Sequence, residues 1–290
     1  MTFLLKLFAL LPLWFLQGFG ALFGELTFRL SSEVRQRTIE NLKQAGLDHR
    51  VSITQLARSA GRQSMESLWV WYRSPNTVMK KVTVDPASQD LIDRYMRTGR
   101  PIVFMTPHVG CFEVLPVWFE HVYYGATHRK IMVLYRPPKN RWLRKVVGQA
   151  RQSEGIEPCP TTVSGVKRII KNLRLGHTFG ALPDQVPSSG EGVWASFFGR
   201  DAYTMVLPLR VAKQFNAVRI FAWGIRTASG WEIQAKEWTT ALTGDLEADA
   251  SAMNHEIEQI IRAIPDQYAW SYNRYKTPKG AHPNRKRMQK

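Results

Sequence analysis

Residues 101–116 read PIVFMTPHVGCFEVLP. PIVFM carries no charged or polar side chain, the pattern of a strand covered on both faces. His108 and Glu113 follow, in a stretch with no other charge. Val109 and Gly110 suit a turn, and a helix opening at Cys111 places Glu113 near its first turn. A carboxylate there is favoured by the helix dipole. From that turn Glu113 reaches back to one imidazole nitrogen, fixes the tautomer and stabilises the imidazolium. On spacing alone, a buried histidine satisfied by a local carboxylate is the commoner arrangement.

The pattern repeats downstream. KIMVLYRP, TFGALPDQ and VRIFAWGIR are further short apolar runs, and WEIQAKEW suits an edge strand. Between them lie helix-like stretches: CFEVLPVWFEHVYY, NRWLRKVVGQARQS, VSGVKRIIKNLRLG and TMVLPLRVAKQF. Upstream, residues 32–46, 52–73 and 88–99 have helical spacing, and residues 247–264 form a late helix closed by Pro265. Alternation of strand and helix predicts an α/β fold, a mixed but mostly parallel central sheet flanked by helices. Such sheets bind ligands beyond the carboxyl ends of their strands. Three of those ends carry polar chemistry: His108 and Glu113 after PIVFM, Arg136 after MVLY, and Asp184 after FGAL. Arg136 suits a phosphate, a carboxylate or a developing anion. Asp184, between Pro183 and Pro187, also fits plain turn chemistry. The glycine- and aromatic-rich SSGEGVWASFFGRDAYT suits a lid or one wall of an apolar tunnel.

Charge narrows the partners. The chain has 40 Lys+Arg against 23 Asp+Glu, a formal net charge of +17. Such a balance seeks polyanions. No zinc-finger spacing, RNP-like motif or basic heptad region supports nucleic acid. Cys111 and Cys159 are the only cysteines, so a disulfide framework is not expected, and no metal-type spacing is present. Residues 7–24, LFALLPLWFLQGFGALFG, carry no charge. As one helix at about 1.5 Å per residue they nearly match a hydrocarbon core. Pro12 and three glycines leave a bent interfacial segment open, and a signal peptide or core helix compete. Arg29, Arg35, Arg37 and Lys43 follow, which keeps the bulk of the chain cytoplasmic by the positive-inside tendency. The expected division is a membrane-anchoring helix over 1–30, a catalytic domain over 31–275 and a basic tail over 276–290. The tail is either a solvated end or a contact with an anionic membrane surface.

HVGCFE is similar to the H-x-x-x-x-D/E motif of the glycerolipid acyltransferase superfamily. With RQRTIENL, LARSAGRQSMESLWVW, LYRPPKNRWL, LPDQVPSSGEGVWASFFGRDAYT and PDQYAWSYNRYKTP, in that order over nearly the whole chain, the sequence resembles the late acyltransferases of bacterial lipid A biosynthesis. The resemblance implies a general base at His108, oriented and charge-stabilised by Glu113. It implies that Arg136 contacts an acceptor phosphate or the oxyanion, and that Asp184 positions the acceptor or Arg136. It implies an acyl carrier protein thioester as donor, with no other cofactor and no metal. The implied acceptor is a hydroxyl of a lipid A precursor, and the implied location is the cytoplasmic side of a bacterial inner membrane. A basic face of Arg141, Arg144, Lys145, Arg151, Lys167, Arg168, Lys171 and Arg174 would suit the acidic carrier or the lipid phosphates. Acyl transfer to another glycolipid or lysophospholipid, possibly from acyl-CoA, shares the motif. A non-catalytic basic peripheral membrane protein is the alternative outside enzymes.

Overall fold

The change of sequence period after Gly99 is where the buried strands of the sheet begin. A computed structural model describes residues 2–136 and 153–282. Its elements run α1 (Thr2–Ala9), α2 (Leu13–Leu30), α3 (Ser32–Gln44), α4 (Ile53–Tyr72), α5 (Pro75–Met79), β1 (Val82–Val84), α6 (Pro86–Arg97) and β2 (Ile102–Met105). Then come α7 (Val114–Phe119), a π-helical turn (Glu120–Tyr124), α8 (Gly125–Thr127), β3 (Ile131–Tyr135), β4 (Ile156–Pro160) and α9 (Val163–Arg174). The last are β5 (Thr178–Ala181), β6 (Gly192–Phe197), β7 (Arg200–Met205), α10 (Leu207–Gln214), β8 (Val218–Arg226), β9 (Trp231–Glu237) and α11 (Leu246–Ala263). The expected helix over NRWLRKVVGQARQS falls almost wholly outside the described residues, as do Arg141, Arg144, Lys145, Arg151 and residues 283–290 of the tail.

Seven strands form one sheet in the order β1-β9-β8-β2-β5-β3-β4. Every neighbouring pair is parallel except β8 and β9. The α/β expectation therefore holds, with a mostly parallel sheet. β2 lies between β8 and β5, and all four of its residues are buried. Val103 and Met105 enter the core on one face, with Ile169 and Leu173 of α9 and Ile257 of α11. Ile102 and Phe104 enter the other, with Leu115 and Trp118 of α7, Ile92 of α6 and Trp69 of α4. A strand covered on both faces needs no polar alternation, which is why PIVFM has none. WEIQAKEW is β9, and the three-residue β1 pairs along its outer side, so it is not the edge. Edge strand β4 contains Pro158 and Pro160, tolerable where a lost N–H costs no ladder bond. β6 and β7 form a separate antiparallel hairpin. Phe198 and Gly199 turn it at φ +47° and +73°, the left-handed pair of a two-residue loop.

The N-terminal apolar run does not form one helix. α1 ends at Ala9, and α2 starts after Pro12, whose ring cannot continue a helix. Arg73 donates to the freed carbonyls of Leu10 and, at 3.2 Å, Leu11. Among the described residues no helix is long and apolar enough to cross a membrane, which corrects the spanning option. α2 instead packs along α4 at glycines. A Cβ on Gly24 would lie 2.1 Å from the Ala57 carbonyl oxygen, and one on Gly61 1.8 Å from that of Gly20. Gly61→Val is therefore expected to lower stability by about 1–3 kcal/mol, read by denaturant unfolding. The outer side of α2 stays apolar and open, with Trp14 72%, Leu22 68% and Leu30 79% exposed.

Candidate active site

Strands β2, β5 and β3 are neighbours, so the three polar strand ends of the sequence converge. Met105 is in register with Ala181, and the Thr106 amide donates to the Ala181 carbonyl at 2.9 Å. His108 lies three residues beyond β2 and Asp184 three beyond β5. The Asp184 carboxylate grips His108 twice. One oxygen accepts the His108 backbone N–H at 2.9 Å, and the other lies 2.7 Å from Nδ1. Nε2 lies 3.0 Å from the Gln185 side-chain amide nitrogen. An amide nitrogen only donates, so Nε2 carries the lone pair and Nδ1 the proton. The edge of the ring is braced by Phe112, with centroids 4.8 Å apart.

The turn carrying His108 is fixed from three sides. Its carbonyl accepts the Ala269 amide at 3.1 Å, the Gly110 amide donates to Gln267 at 2.9 Å, and the Cys111 amide to Gly224 at 2.9 Å. Gln63 of α4 donates its side-chain amide to the Gly110 carbonyl at 2.6 Å. Gly110 has φ +55°, and a Cβ there would lie 2.0 Å from the Gly224 oxygen, so only glycine fits.

The helix opens at Val114 and not at the expected Cys111, so Glu113 sits just before α7 and not inside its first turn; it is buried. Both ring nitrogens of His108 have other partners, so the carboxylate facing Nδ1 is Asp184, not Glu113. Glu113, His108, Arg136, Gln185 and Tyr272 line one cleft of about 890 Å³. Exposed Arg136 stands at its wall and donates to the Ser188 hydroxyl at 2.9 Å. Three of the four expected site residues thus border the same space, and the buried Asp184 lies behind His108.

Asp184 is almost fully buried, and burial alone would raise its pKa. The charge and hydrogen bonds of His108, with the charge of Arg274, outweigh that and hold it below the usual carboxylate value. Arg274 is itself buried and anchored to the Tyr203 carbonyl at 2.8 Å and the Thr204 hydroxyl at 2.7 Å. Burial, then the Asp184 charge, pushes the Tyr268 phenol well up. Sequence reasoning gave no role to Gln185 or Arg274, although both stand in the quoted blocks LPDQVP and WSYNRYK. A lone arginine in an aromatic-rich segment was the available signal. Cys111 is buried, and burial, with the Glu66 and Glu113 charges, raises its thiol well above ordinary values, so it is packing and not a nucleophile. On α9, Lys167, Arg168, Lys171 and Arg174 face solvent. Among the described residues no group of three or more His, Cys, Asp or Glu is placed to hold a metal ion.

A buried carboxylate behind a cleft-lining histidine whose Nε2 carries the lone pair is the geometry of general-base catalysis. A family model described as bacterial lipid A biosynthesis acyltransferase matches residues 1–277. The chain belongs to that family. Its similarity to individual members is low. It is 25% identical over 189 residues to a lipid A biosynthesis acyltransferase of Haemophilus influenzae, covering 65% of this chain and 58% of that one. It is 22% identical over 282 residues to the lipid A biosynthesis myristoyltransferase of Escherichia coli K12, covering 93% and 84%. It is 21% identical over 265 residues to lipid A biosynthesis acyltransferase 2 of Shigella flexneri, covering 88% and 82%. Membership in the family extends over the hairpin, the cleft and α2, all of which lie within the matched residues.

Proposed function

We propose that the protein transfers a fatty acyl chain from an acyl carrier protein thioester to a hydroxyl of a lipid A precursor. The carrying observation is cleft-lining His108, with Nδ1 held by buried Asp184 and the Nε2 lone pair met by the Gln185 side-chain amide. An acceptor hydroxyl takes the place of the Gln185 amide at Nε2. His108 removes its proton, the oxygen attacks the thioester carbonyl, and the C–S bond breaks. The departing thiolate takes the proton from the imidazolium, so no cofactor beyond the thioester is consumed. Asp184 holds the tautomer and balances the imidazolium. Glu113, on the same cleft, adds a second negative charge. Arg136 meets the acceptor phosphate or the oxyanion, since the Val109 and Gly110 amides already donate to Pro107 and Gln267.

The protein works at the cytoplasmic face of a bacterial inner membrane. Support comes from the open apolar side of α2, with Trp14 at one end and Leu30 at the other. Such a helix lies in the interface rather than crossing it. The anionic surface draws the net positive charge of the chain. The test is mass spectrometry of lipid A from cells lacking the protein and from cells restored with wild type or His108→Ala. Wild type restores one acyl chain; His108→Ala, folded by circular dichroism, does not. Restoration by His108→Ala would refute the reading.

A further inference from the structure

The Gln185 side-chain amide stands where proton removal has to begin. It donates to Nε2 of His108 at 3.0 Å, so the lone pair that would take a proton is already engaged. The backbone on either side of Gln185 is fixed. Asp184 is buried and bonds His108 through both carboxylate oxygens. The Val186 amide donates to the Tyr272 hydroxyl at 2.9 Å, and Pro183 and Pro187 restrict the chain at both ends. The Gln185 side chain is held far less. It lines the cleft, is half-buried, and makes no other hydrogen bond among the described residues. A single neutral hydrogen bond keeps it on Nε2, and rotation about its own side-chain bonds releases it.

We propose that Gln185 shields the His108 lone pair from water, so that the acyl thioester is passed to the acceptor hydroxyl and not hydrolysed. This role rests on the reaction proposed above and selects its nucleophile. A water that attacks the thioester carbonyl gives its proton to Nε2; the C–S bond breaks, and the proton passes to the departing thiolate, leaving a free fatty acid and a thiol. Such a water brings no further binding contact, and it competes with an amide tethered 3.0 Å from the nitrogen. The acceptor hydroxyl arrives on a large lipid, for which the cleft of about 890 Å³ gives room. Binding of the rest of that lipid offsets the loss of the Gln185 bond.

The test compares wild type with Gln185→Met, which keeps the length of the side chain and removes its donor, and with Gln185→Ala. Each receives acyl carrier protein thioester with and without a lipid A precursor, and free fatty acid and transferred acyl chain are measured together. The expected result is a ratio of hydrolysis to transfer raised roughly tenfold in both variants. Adding His108→Ala to Gln185→Met abolishes the extra hydrolysis. With no substrate present, diethyl pyrocarbonate, which reacts with an imidazole lone pair, labels His108 roughly tenfold faster in both variants, read by peptide mass spectrometry. An unchanged ratio overturns the proposal, as does an unchanged labelling rate or extra hydrolysis that survives His108→Ala. An equal loss of hydrolysis and transfer also overturns it, and makes Gln185 a support of the His108 ring. Wild type that hydrolyses the thioester but transfers nothing to the precursor overturns the function proposed above, a failure read separately from the labelling rates that judge Gln185.

Discussion

Asp184→Asn lowers acyl transfer by on the order of 10³–10⁴-fold, and Glu113→Gln lowers it less. The ranking follows from what an amide can offer His108. Asp184 accepts from both the backbone N–H and Nδ1–H of His108. An asparagine oxygen can keep the backbone bond, and its NH₂ then faces Nδ1. The imidazole must accept there, its proton moves to Nε2, and the lone pair meant for the acceptor hydroxyl is lost. Arg274 also loses the nearby negative charge that favours its ionised form. Glu113→Gln leaves the Asp184 bond to Nδ1, and with it the tautomer, in place. Steady-state rates with circular dichroism as the folding control decide the matter. A larger loss in Glu113→Gln than in Asp184→Asn would make Glu113 the orienting carboxylate.

The largest stability effect is expected away from the chemistry, at Glu66. It has no exposed surface and pairs with Arg226, which reaches its second oxygen at 3.0 Å. Gln17 of α2 donates to the same carboxylate at 2.8 Å, and Arg226 also donates to the Ser59 hydroxyl at 3.1 Å. Glu66→Ala strands the guanidinium inside and costs about 3–5 kcal/mol, measured by denaturant unfolding. Joint replacement, Glu66→Leu with Arg226→Met, removes both charges and recovers most of the loss. A double variant as unstable as the single one would mean that the pair itself, and not the stranded charge, carries the energy. The Arg226 amide and carbonyl both bond Gln267, whose own carbonyl holds Gly110, so the single variant also loosens the His108 turn.

The four long apolar runs were legible as strands because burial on both faces leaves no polar alternation to confuse them. Their ends were legible as a site because parallel strands deliver their carboxyl ends to one side. The partner of His108 was not legible. Glu113 is five residues away and Asp184 seventy-six, and local spacing weighs only the near one. The β2–β5 adjacency, formed by strands that are not consecutive, brings the distant carboxylate in. β1 was hidden by its length of three residues, and β4 by its prolines. The hairpin was read as a lid or a tunnel wall, and not as two strands, because its glycines and aromatics carry no clear strand period. The N-terminal run left a span and a bent interfacial segment open, and the break at Pro12 removes the span.

The glycine contact between α2 and α4 bears on how such a protein can be handled. Cutting away residues 1–30 to gain solubility does not trim a detachable leash. It strips the cover from the backbone at Ala57 and Gly61, takes Gln17 from the Glu66 carboxylate, and opens the seam behind the residues that hold His108 in place. Detergents or lipid discs that cover Trp14, Leu22 and Leu30 solve the same solubility problem from outside and leave that seam shut.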